Sequence, residues 1–298
     1  MRVAIIDLGT NSVRLFIYQF GIDGHLRELH HKKIMVRLGD NLFASKLLDP
    51  EACKRTIAAF QEFAISIKEH QVEKVTAVGT SAMREASDRG QLIEQIFSQT
   101  KIKLEVITGE QEAALIAQGI LANSKIPAGP VALVDIGGGS TEVSLTENGK
   151  ILSAVSLPIG AARGQQLFLK EIPPTMEAVQ LLNERVYQLF AQNLPSQAPL
   201  IIGSSGSIRA IGELYHHRKS KHTFPRSFLK LLISEFQLLR RDQIAEIKGI
   251  KEKRADLILS AIIILDQLCN CIGAKRVRPT NYALKDGLLT KMLADQGK

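Results

Sequence analysis

The stretch VAIIDLGTNSVRLFIY (3–18) recurs in this chain as VALVDIGGGSTEVSLT (131–146). Each copy has an apolar run of strand type, an Asp, a turn of small residues and a second alternating run, a pattern that predicts a β-hairpin. The two copies keep one constant offset, which pairs Asp7 with Asp135 and Ser12 with Ser140. A single copy is typical of an ordinary Gly-rich hairpin, whereas a matched pair predicts two phosphate-cradling loops that face one cleft.

Small residues in these turns are candidate phosphate ligands, because backbone N–H groups can approach an anion closely where side chains are small. The candidates are Gly9, Thr10, Asn11 and Ser12 in the first turn and Gly137, Gly138, Gly139, Ser140 and Thr141 in the second. The loop GSSGS (203–207) adds Ser204, Gly206 and Ser207 at the start of a helix. A plain strand-to-helix turn explains this third loop equally well.

Length and composition predict a soluble globular protein. The 298 residues are enough for two domains with a core each, and 45% of them are hydrophobic. The richest apolar run, LILSAIIIL (257–265), is too short to cross a membrane, and the start of the chain lacks a signal-peptide pattern. We expect the three cysteines, Cys53, Cys269 and Cys271, to be reduced, mostly buried thiols of a cytoplasmic protein, not disulfide partners or zinc ligands.

The net charge of +8 favours anionic partners. Part of this charge lies in YHHRKSKHTFPR (215–226), which is either a solvated surface loop or a rail for a long polyanion, polyphosphate or nucleic acid. The chain has no Trp, and few aromatic residues lie near this stretch for bases to stack on. We therefore expect no nucleic-acid partner.

Strands and helices alternate along the chain as in an α/β protein. Asp49 and Pro50 start a predicted helix whose apolar stripe is Ile57, Phe60, Ala64 and Ile67, and KVTAVG (74–79) predicts the next strand. Arg84 follows that strand in a polar turn, where α/β folds place ligands. We interpret it as a phosphate ligand, with a surface ion pair to Glu85 or Asp88 as the alternative.

The segment TGEQEAALIAQGIL (108–121) predicts a helix that begins near Gly109, with a capping box between Thr108 and Gln111. Its acids Glu110 and Glu112 can simply complement the positive end of the helix dipole. Because this helix directly precedes the strand of the second loop, Glu112 is also placed to take a proton from water.

The second half repeats the plan, which predicts two domains, 1–123 and 124–298. ENGK (147–150) predicts a hairpin turn, 175–194 a helix, and IKGIKEKRADLILSAIIIL (247–265) a buried helix with Arg254 and Asp256 in its early turns. The last helix, predicted over 282–292, is a candidate to pack back onto the first domain, which makes 280–298 part of that domain.

Seven motifs carry a family resemblance over almost the full chain. They are DLGTNSVRLFIY, VRLGDNL, GTSAMREASD, TGEQEAALIAQG, DIGGGSTEVSL, RADLILSAIIIL and NYALKDGLL, in this order. The chain resembles the exopolyphosphatase and guanosine pentaphosphate phosphatase family, in the short two-domain form. The resemblance implies an α/β fold of two ribonuclease-H-like domains of the actin-like ATPase superfamily, with a cleft between them.

The resemblance also implies roles for individual residues. Glu112 matches the catalytic base, Asp135 and Glu142 match the acidic pair that holds a divalent metal, and Asp7 and Arg84 match phosphate ligands. The chain departs from the family where Gln111-Glu112 replaces Glu-Glu and where Lys285-Asp286 replaces Arg-Glu. The implied cofactor is Mg²⁺ or another divalent cation, with a monovalent cation such as K⁺ left open.

These observations predict hydrolysis of a terminal phosphoanhydride by in-line attack of water. The predicted substrate is inorganic polyphosphate, with guanosine pentaphosphate or tetraphosphate as the alternative. Two other functions stay open: an actin-like kinase or ATPase, for which GSSGS is the candidate nucleoside wall, and a sensor of guanosine alarmones without turnover. No membrane partner is expected, and a homodimer is left open.

Overall fold

The computed structural model describes residues 1–21, 26–194 and 197–294. Contacts within the chain divide it into two compact units: Met1–Gln111 with the residues from Leu288 onward, and Glu112–Gly287. The boundary expected from the sequence at 123/124 lies at the end of a helix that groups with the second unit. The domain limits therefore stay a prediction.

The first unit has five strands in the order β3-β2-β1-β4-β5. β2 runs antiparallel to β1 and β3, whereas β1, β4 and β5 are parallel. Its elements are β1 Arg2–Leu8, β2 Ser12–Phe20, β3 Leu26–Met35, α1 Leu42–Ser45, α2 Pro50–Glu69, β4 Lys74–Gly79, α3 Ser81–Glu85, α4 Arg89–Thr100 and β5 Leu104–Val106.

The second unit has six strands in the order β10-β11-β9-β6-β7-β8. Its elements are α5 Gly109–Asn123, β6 Pro130–Ile136, β7 Thr141–Glu147, β8 Lys150–Leu157, α6 Ala161–Leu167, α7 Met176–Asn193, β9 Leu200–Ser204, α8 Gly206–Lys219, β10 Phe224–Pro225, α9 Arg226–Phe236, α10 Arg241–Glu246, a 3₁₀ turn Glu252–Arg254, α11 Ile258–Ile272, β11 Arg276–Pro279 and α12 Leu284–Ala294. α5 and α12 cross the division between the units, because α5 begins and α12 ends in the first unit.

The duplicated hairpins occupy equivalent places in the two sheets. β8-β7-β6-β9-β11 repeats the order β3-β2-β1-β4-β5, and β10 adds one antiparallel edge strand. The turn closes in the same way in both units: Gly9 N–H donates to the Ser12 carbonyl at 3.1 Å, and Gly137 N–H donates to the Ser140 carbonyl at 2.9 Å. The prediction of two related α/β halves is confirmed.

Local signals in the sequence are also confirmed. Asp49 accepts a hydrogen bond from the Ala52 N–H and caps α2, and the side chains of Thr108 and Gln111 bond each other's backbone N–H groups as a capping box. Asn148 and Gly149 both have positive φ in the β7–β8 turn, which is the two-residue hairpin geometry that an Asn-Gly pair favours.

Three details of the sequence reading are wrong. The buried face of α2 is formed by Ala52, Thr56, Ala59, Phe60, Phe63 and Ser66, so the predicted stripe was displaced toward the half-buried edge of the helix. α11 begins at Ile258, which leaves Arg254 in the 3₁₀ turn before it. α12 begins at Leu284, after Tyr282. In α2, a second apolar stripe of similar strength explains the shift. Before α11 and α12, turns continue the helical periodicity, so the sequence pattern begins each helix too early.

α11 is the centre of the core of the second unit. Its residues Ile258 to Leu265 are all buried, as sheet and helix side chains pack against it from several sides. Cys269 lies on this helix, and burial raises the pKa of its thiol to about 12. Cys53 and Cys271 are only half-buried, so the expectation of mostly buried thiols holds for Cys269 alone. Within the described part of the chain, no helix is long and apolar enough to cross a membrane.

Candidate active site

A polar row crosses four adjacent strands of the second unit. Strand register places Asp135 opposite both Ser204 and Glu142, and Glu142 opposite Ser156. Residues opposite each other in a sheet project from the same face. The Ser204 hydroxyl donates to Asp135 Oδ2, and the Ser156 hydroxyl donates to Glu142 Oε1 at 2.7 Å. Two carboxylates therefore lie side by side, each held by a serine.

The start of α5, which carries Glu112, lies beside β7. The Ser144 hydroxyl donates to the Ala113 carbonyl at 3.3 Å, which fixes the first turn of α5 against β7. Ser144 is two residues from Glu142 on β7, so both side chains share one face. Glu112 directly precedes Ala113 and is only 7% exposed. The structure thus places the backbone of α5 next to the strand that carries Glu142, and the role of Glu112 as base stays a prediction.

The second loop, residues 137–141, is held in place by hydrogen bonds that its carbonyl groups accept. The Gly137 carbonyl accepts the Ala161 N–H at 2.9 Å, and the Gly138 carbonyl accepts those of Ala162 and Arg163 at 2.8 and 3.0 Å. Because C=O and N–H of a trans peptide point in opposite directions, the N–H groups of Gly138 and Gly139 point away from α6. The Arg163 guanidinium, which is buried, donates to the Gly139 carbonyl at 2.8 Å. This arrangement presents donors for an anion.

Side chains of the loop contribute unequally. The Thr141 hydroxyl is fully buried and donates to the Ile159 carbonyl, and its contact with phosphate stays a prediction. Ser140 is 5% exposed. The backbone of Gly137, Gly138 and Gly139 is therefore the main candidate for phosphate contact.

Gly160, just before α6, packs directly against the second loop. A Cβ there would lie 2.7 Å from the Gly138 carbonyl and from the Ser140 nitrogen, which are backbone atoms that cannot move without displacing the loop. We expect Gly160→Ala to lower kcat by roughly 10- to 100-fold with the protein still folded, since a misplacement of about 1 Å can cost that much. Steady-state kinetics with circular dichroism checks this. Gly90→Ala is the control, because open space surrounds Gly90; equal activity of the two variants would contradict the argument.

The first unit carries a row of different charge at the equivalent place. Register places Asp7 opposite Arg14, and Arg14 opposite Lys33. Arg14 Nη1 lies 3.3 Å from Asp7 Oδ2. Burial raises the pKa of the Asp7 carboxyl, against the opposing effect of the Arg14 and Lys33 charges. One acid and two cations at this turn suit an anion, whereas the two acids of the second unit suit a cation or water.

Replacement of Arg14 should weaken substrate binding more than it slows the chemical step. We expect Arg14→Met to raise KM roughly tenfold with a smaller change in kcat, since a charged hydrogen bond contributes about 1.5 kcal/mol or more. The pKa of the Asp7 carboxyl should rise further, because a cation that favours its ionised form is removed. Arg2→Met, at the other end of β1, is the matched control. An unchanged KM in Arg14→Met would contradict the role.

Arg84 lies in α3, directly after β4. Its Nη1 donates to the Ile107 carbonyl at 3.2 Å, and its charge helps to lower the pKa of Glu110, although hydrogen bonds at the start of α5 are the main cause. The alternative partners considered for it have other contacts: Glu85 forms a salt bridge with Lys46, and Asp88 accepts from the Leu48 N–H. A phosphate role for Arg84 stays a prediction.

The third loop meets the second through Ser204. Ser205, at φ 87°, caps α8 by accepting the Ile208 N–H, and the Arg254 guanidinium donates to the Gly206 carbonyl. Ser204 holds Asp135 through a hydrogen bond. The third loop therefore contributes Ser204 to the polar row that contains Asp135 and Glu142. The predicted phosphate contacts of Ser204, Gly206 and Ser207 stay predictions.

No group of three or more His, Cys, Asp or Glu side chains is placed to hold a metal within residues 1–21, 26–194 and 197–294. Mg²⁺ commonly uses only one or two carboxylates and completes its shell with water and phosphate oxygens. The adjacent oxygen donors of Asp135 and Glu142 fit that requirement. Asp135 is half-exposed and Glu142 is 2% exposed, which makes Asp135 the more accessible donor.

Sequence reasoning missed Arg14, Lys33 and Arg163. Arg14 could have been found, because it holds in the first hairpin the place that Glu142 holds in the second. Lys33 and Arg163 lie outside the repeated motif. Their placement depends on the pairing of β3 and on the return of α6 to the loop, which no local pattern reveals.

Comparisons with known proteins give one consistent family. A family model described as the Ppx/GppA phosphatase family matches residues 20–296. Exopolyphosphatase 2 of Mycobacterium tuberculosis is 29% identical over 314 residues, covering 96% of this chain and 97% of that protein. The guanosine-5'-triphosphate,3'-diphosphate pyrophosphatase of Vibrio cholerae is 26% identical, covering 98% of this chain and 59% of that protein. The structure of an exopolyphosphatase from Cytophaga hutchinsonii superposes with a TM-score of 0.88 at 27% identity, covering 99% and 98% of the two chains.

Proposed function

Because the chain belongs to the Ppx/GppA phosphatase family and is a phosphoanhydride hydrolase, we propose that it is an exopolyphosphatase. It hydrolyses the terminal phosphoanhydride of inorganic polyphosphate and releases orthophosphate. The observation that supports the reaction type is the pair of adjacent carboxylates Asp135 and Glu142, of which Glu142 lies on the strand against which the start of α5 is hydrogen-bonded. The net charge of +8 supports a highly anionic substrate.

We assign Glu112 as the general base that accepts a proton from the attacking water molecule. Glu112 is a buried carboxylate. Such a group takes a proton from attacking water as the phosphoanhydride bond breaks. Charge on the reacting phosphoryl group is then offset by the N–H groups of Gly138 and Gly139.

A divalent cation completes this proposal. Asp135 and Glu142 are the residues that would hold Mg²⁺, and a bound Mg²⁺ would polarise the reacting phosphoryl group and offset its charge. Ser204 and Ser156 orient the two carboxylates. Arg14 and Lys33 of the first unit, with Arg84, are assigned to phosphate binding. The single cleft expected from the sequence stays a prediction.

Guanosine pentaphosphate is the second candidate substrate, because the Vibrio cholerae relative acts on such a compound by its name. The match to the exopolyphosphatase of M. tuberculosis extends over nearly the whole of both proteins and supports polyphosphate. Cytoplasmic location follows as a proposal from the free cysteines.

Phosphate release with Mg²⁺ from long-chain polyphosphate, guanosine pentaphosphate and ATP separates these functions. We expect kcat/KM for polyphosphate to exceed the other two. A higher value for guanosine pentaphosphate would assign the alternative substrate. Tight binding of guanosine pentaphosphate without release of phosphate from any substrate would make the protein a sensor, and phosphoryl transfer from ATP to an acceptor would make it a kinase.

A further inference from the structure

A cationic pocket lies at the edge of the second unit's sheet. Its volume is about 610 Å³. It is lined by Tyr215, Lys221, His222, Thr223, Pro225 and Arg276. We call it the edge pocket. It is formed where α8 ends and where β10 pairs with β11.

The cations of the edge pocket lack acidic partners among the described residues, as no described carboxylate forms an ion pair with Lys221 or Arg276. Neighbouring cations do have such partners: Arg218 pairs with Glu235 at 2.9 Å, and Arg226 pairs with Asp266 at 2.8 Å. A cation that is simply exposed on a surface loses little free energy when it has no acidic partner. Two unpaired cations around one concavity create a positive potential that attracts an anion.

The helix dipole does not explain this charge. Basic residues in the last turn of α8, from His216 to Lys219, complement the negative end of that helix. Lys221 and His222 follow the helix, and Arg276 comes from β11, on the other side of the pocket. The pocket therefore draws its charge from two separate parts of the chain.

The edge pocket is distinct from the candidate active site. Ser204, beside Asp135, lies at the carboxyl end of β9, whereas Arg276 pairs with Leu200 at the amino end of that strand. Along α8, Tyr215 lies nine residues after Gly206, a distance of about 14 Å. Three phosphoryl groups cannot cover that distance, but a long polyphosphate can.

We propose that the edge pocket is a second oligophosphate-binding site, which holds a part of a long polyphosphate chain away from its reacting end. This inference rests on the proposed function. The ammonium of Lys221 and the guanidinium of Arg276 bind phosphoryl oxygens, and the Tyr215 hydroxyl and the His222 ring add further donors. Binding there raises the affinity for long chains over short ones, as a second point of attachment does.

Nucleic acid is the less favoured occupant. The Tyr215 ring packs edge-on against Phe228 at 4.8 Å between ring centroids, and it also contacts Phe224. The His222 ring stacks on His216 at 4.3 Å. These contacts occupy the rings on which bases would otherwise stack.

The test compares the full-length protein with the double variant K221A/R276A. KM is measured with Mg²⁺ for long-chain polyphosphate and for tripolyphosphate. We expect KM for the long chain to rise roughly tenfold and KM for tripolyphosphate to stay within about twofold, because only the long chain reaches the pocket. The control K150A/R185A removes the same charges from exposed positions on β8 and α7 and should change neither value. Equal changes for both substrates, or none, would overturn the inference.

A direct measurement of polyphosphate binding tests the edge pocket independently of turnover. Isothermal titration of long-chain polyphosphate into E112Q and into E112Q/K221A/R276A should show about tenfold weaker binding in the second protein. K221R/R276K should restore binding, which a folding defect would not allow. Equal binding by both E112Q proteins would overturn the edge pocket even if the protein hydrolyses polyphosphate. Pocket-dependent binding without polyphosphate turnover would keep the pocket and reject the proposed function. Tighter pocket-dependent binding of single-stranded RNA would reject polyphosphate as occupant.

Discussion

Glu112→Gln should lower kcat by roughly 10²- to 10⁴-fold, since that is the range that a positioned general base contributes. The amide keeps the size and shape of the side chain but cannot take a proton from water. Because Glu112 is buried at the first turn of α5, with its neighbour Ala113 bonded to β7, the substitution should leave the fold and the loop in place. Polyphosphate binding should stay close to that of the unchanged protein.

Glu110→Gln is the matched control for this prediction. Glu110 lies in the same turn of α5 but is exposed, and hydrogen bonds at the helix start lower the pKa of its carboxyl. Its replacement should cost a little helix stability and almost no activity. Full activity of Glu112→Gln, or an equal loss in both variants, would show that Glu112 is not the base.

Asp135→Asn should lower kcat by at least about 10²-fold and weaken the response to Mg²⁺, because an amide is a poorer ligand for a hard cation than a carboxylate. Titration of Mg²⁺ in a phosphate-release assay measures both effects. Ser204→Ala, which removes the hydrogen bond to Asp135 but keeps its charge, should give a smaller loss.

Glu147→Gln is the control on the same hairpin. Glu147 is exposed and pairs with Pro130 at the far end of β6 and β7, away from the loop. The substitution Glu147→Gln should leave both kcat and the Mg²⁺ dependence unchanged. A normal Mg²⁺ titration in Asp135→Asn would reject Asp135 as a metal ligand.

The hairpins and their register follow from the sequence because the information is local. An apolar run, an acidic turn and a second alternating run set the β1–β2 and β6–β7 pairs, and the capping residues Asp49 and Thr108 place the starts of α2 and α5. The constant offset between the two copies then predicts that both halves share one topology.

The rest of the site depends on contacts between distant segments. Gly160 and Arg163 meet the second loop only when α6 returns to it, and Arg254 reaches Gly206 from a turn that periodicity reads as helix. The charge difference between the two rows arises from cross-strand pairing, which places Lys33 beside Arg14 but Ser156 beside Glu142. Such pairings depend on the register of the third strand, where no motif is repeated.

The most direct test of the account is the product formed from long-chain polyphosphate in water labelled with heavy oxygen, with Mg²⁺ present. The unchanged protein should form orthophosphate that carries one solvent oxygen, without fragments of intermediate length, and Glu112→Gln should form almost none. Orthophosphate formed by Glu112→Gln at the original rate, or cleavage into intermediate fragments, would contradict the account.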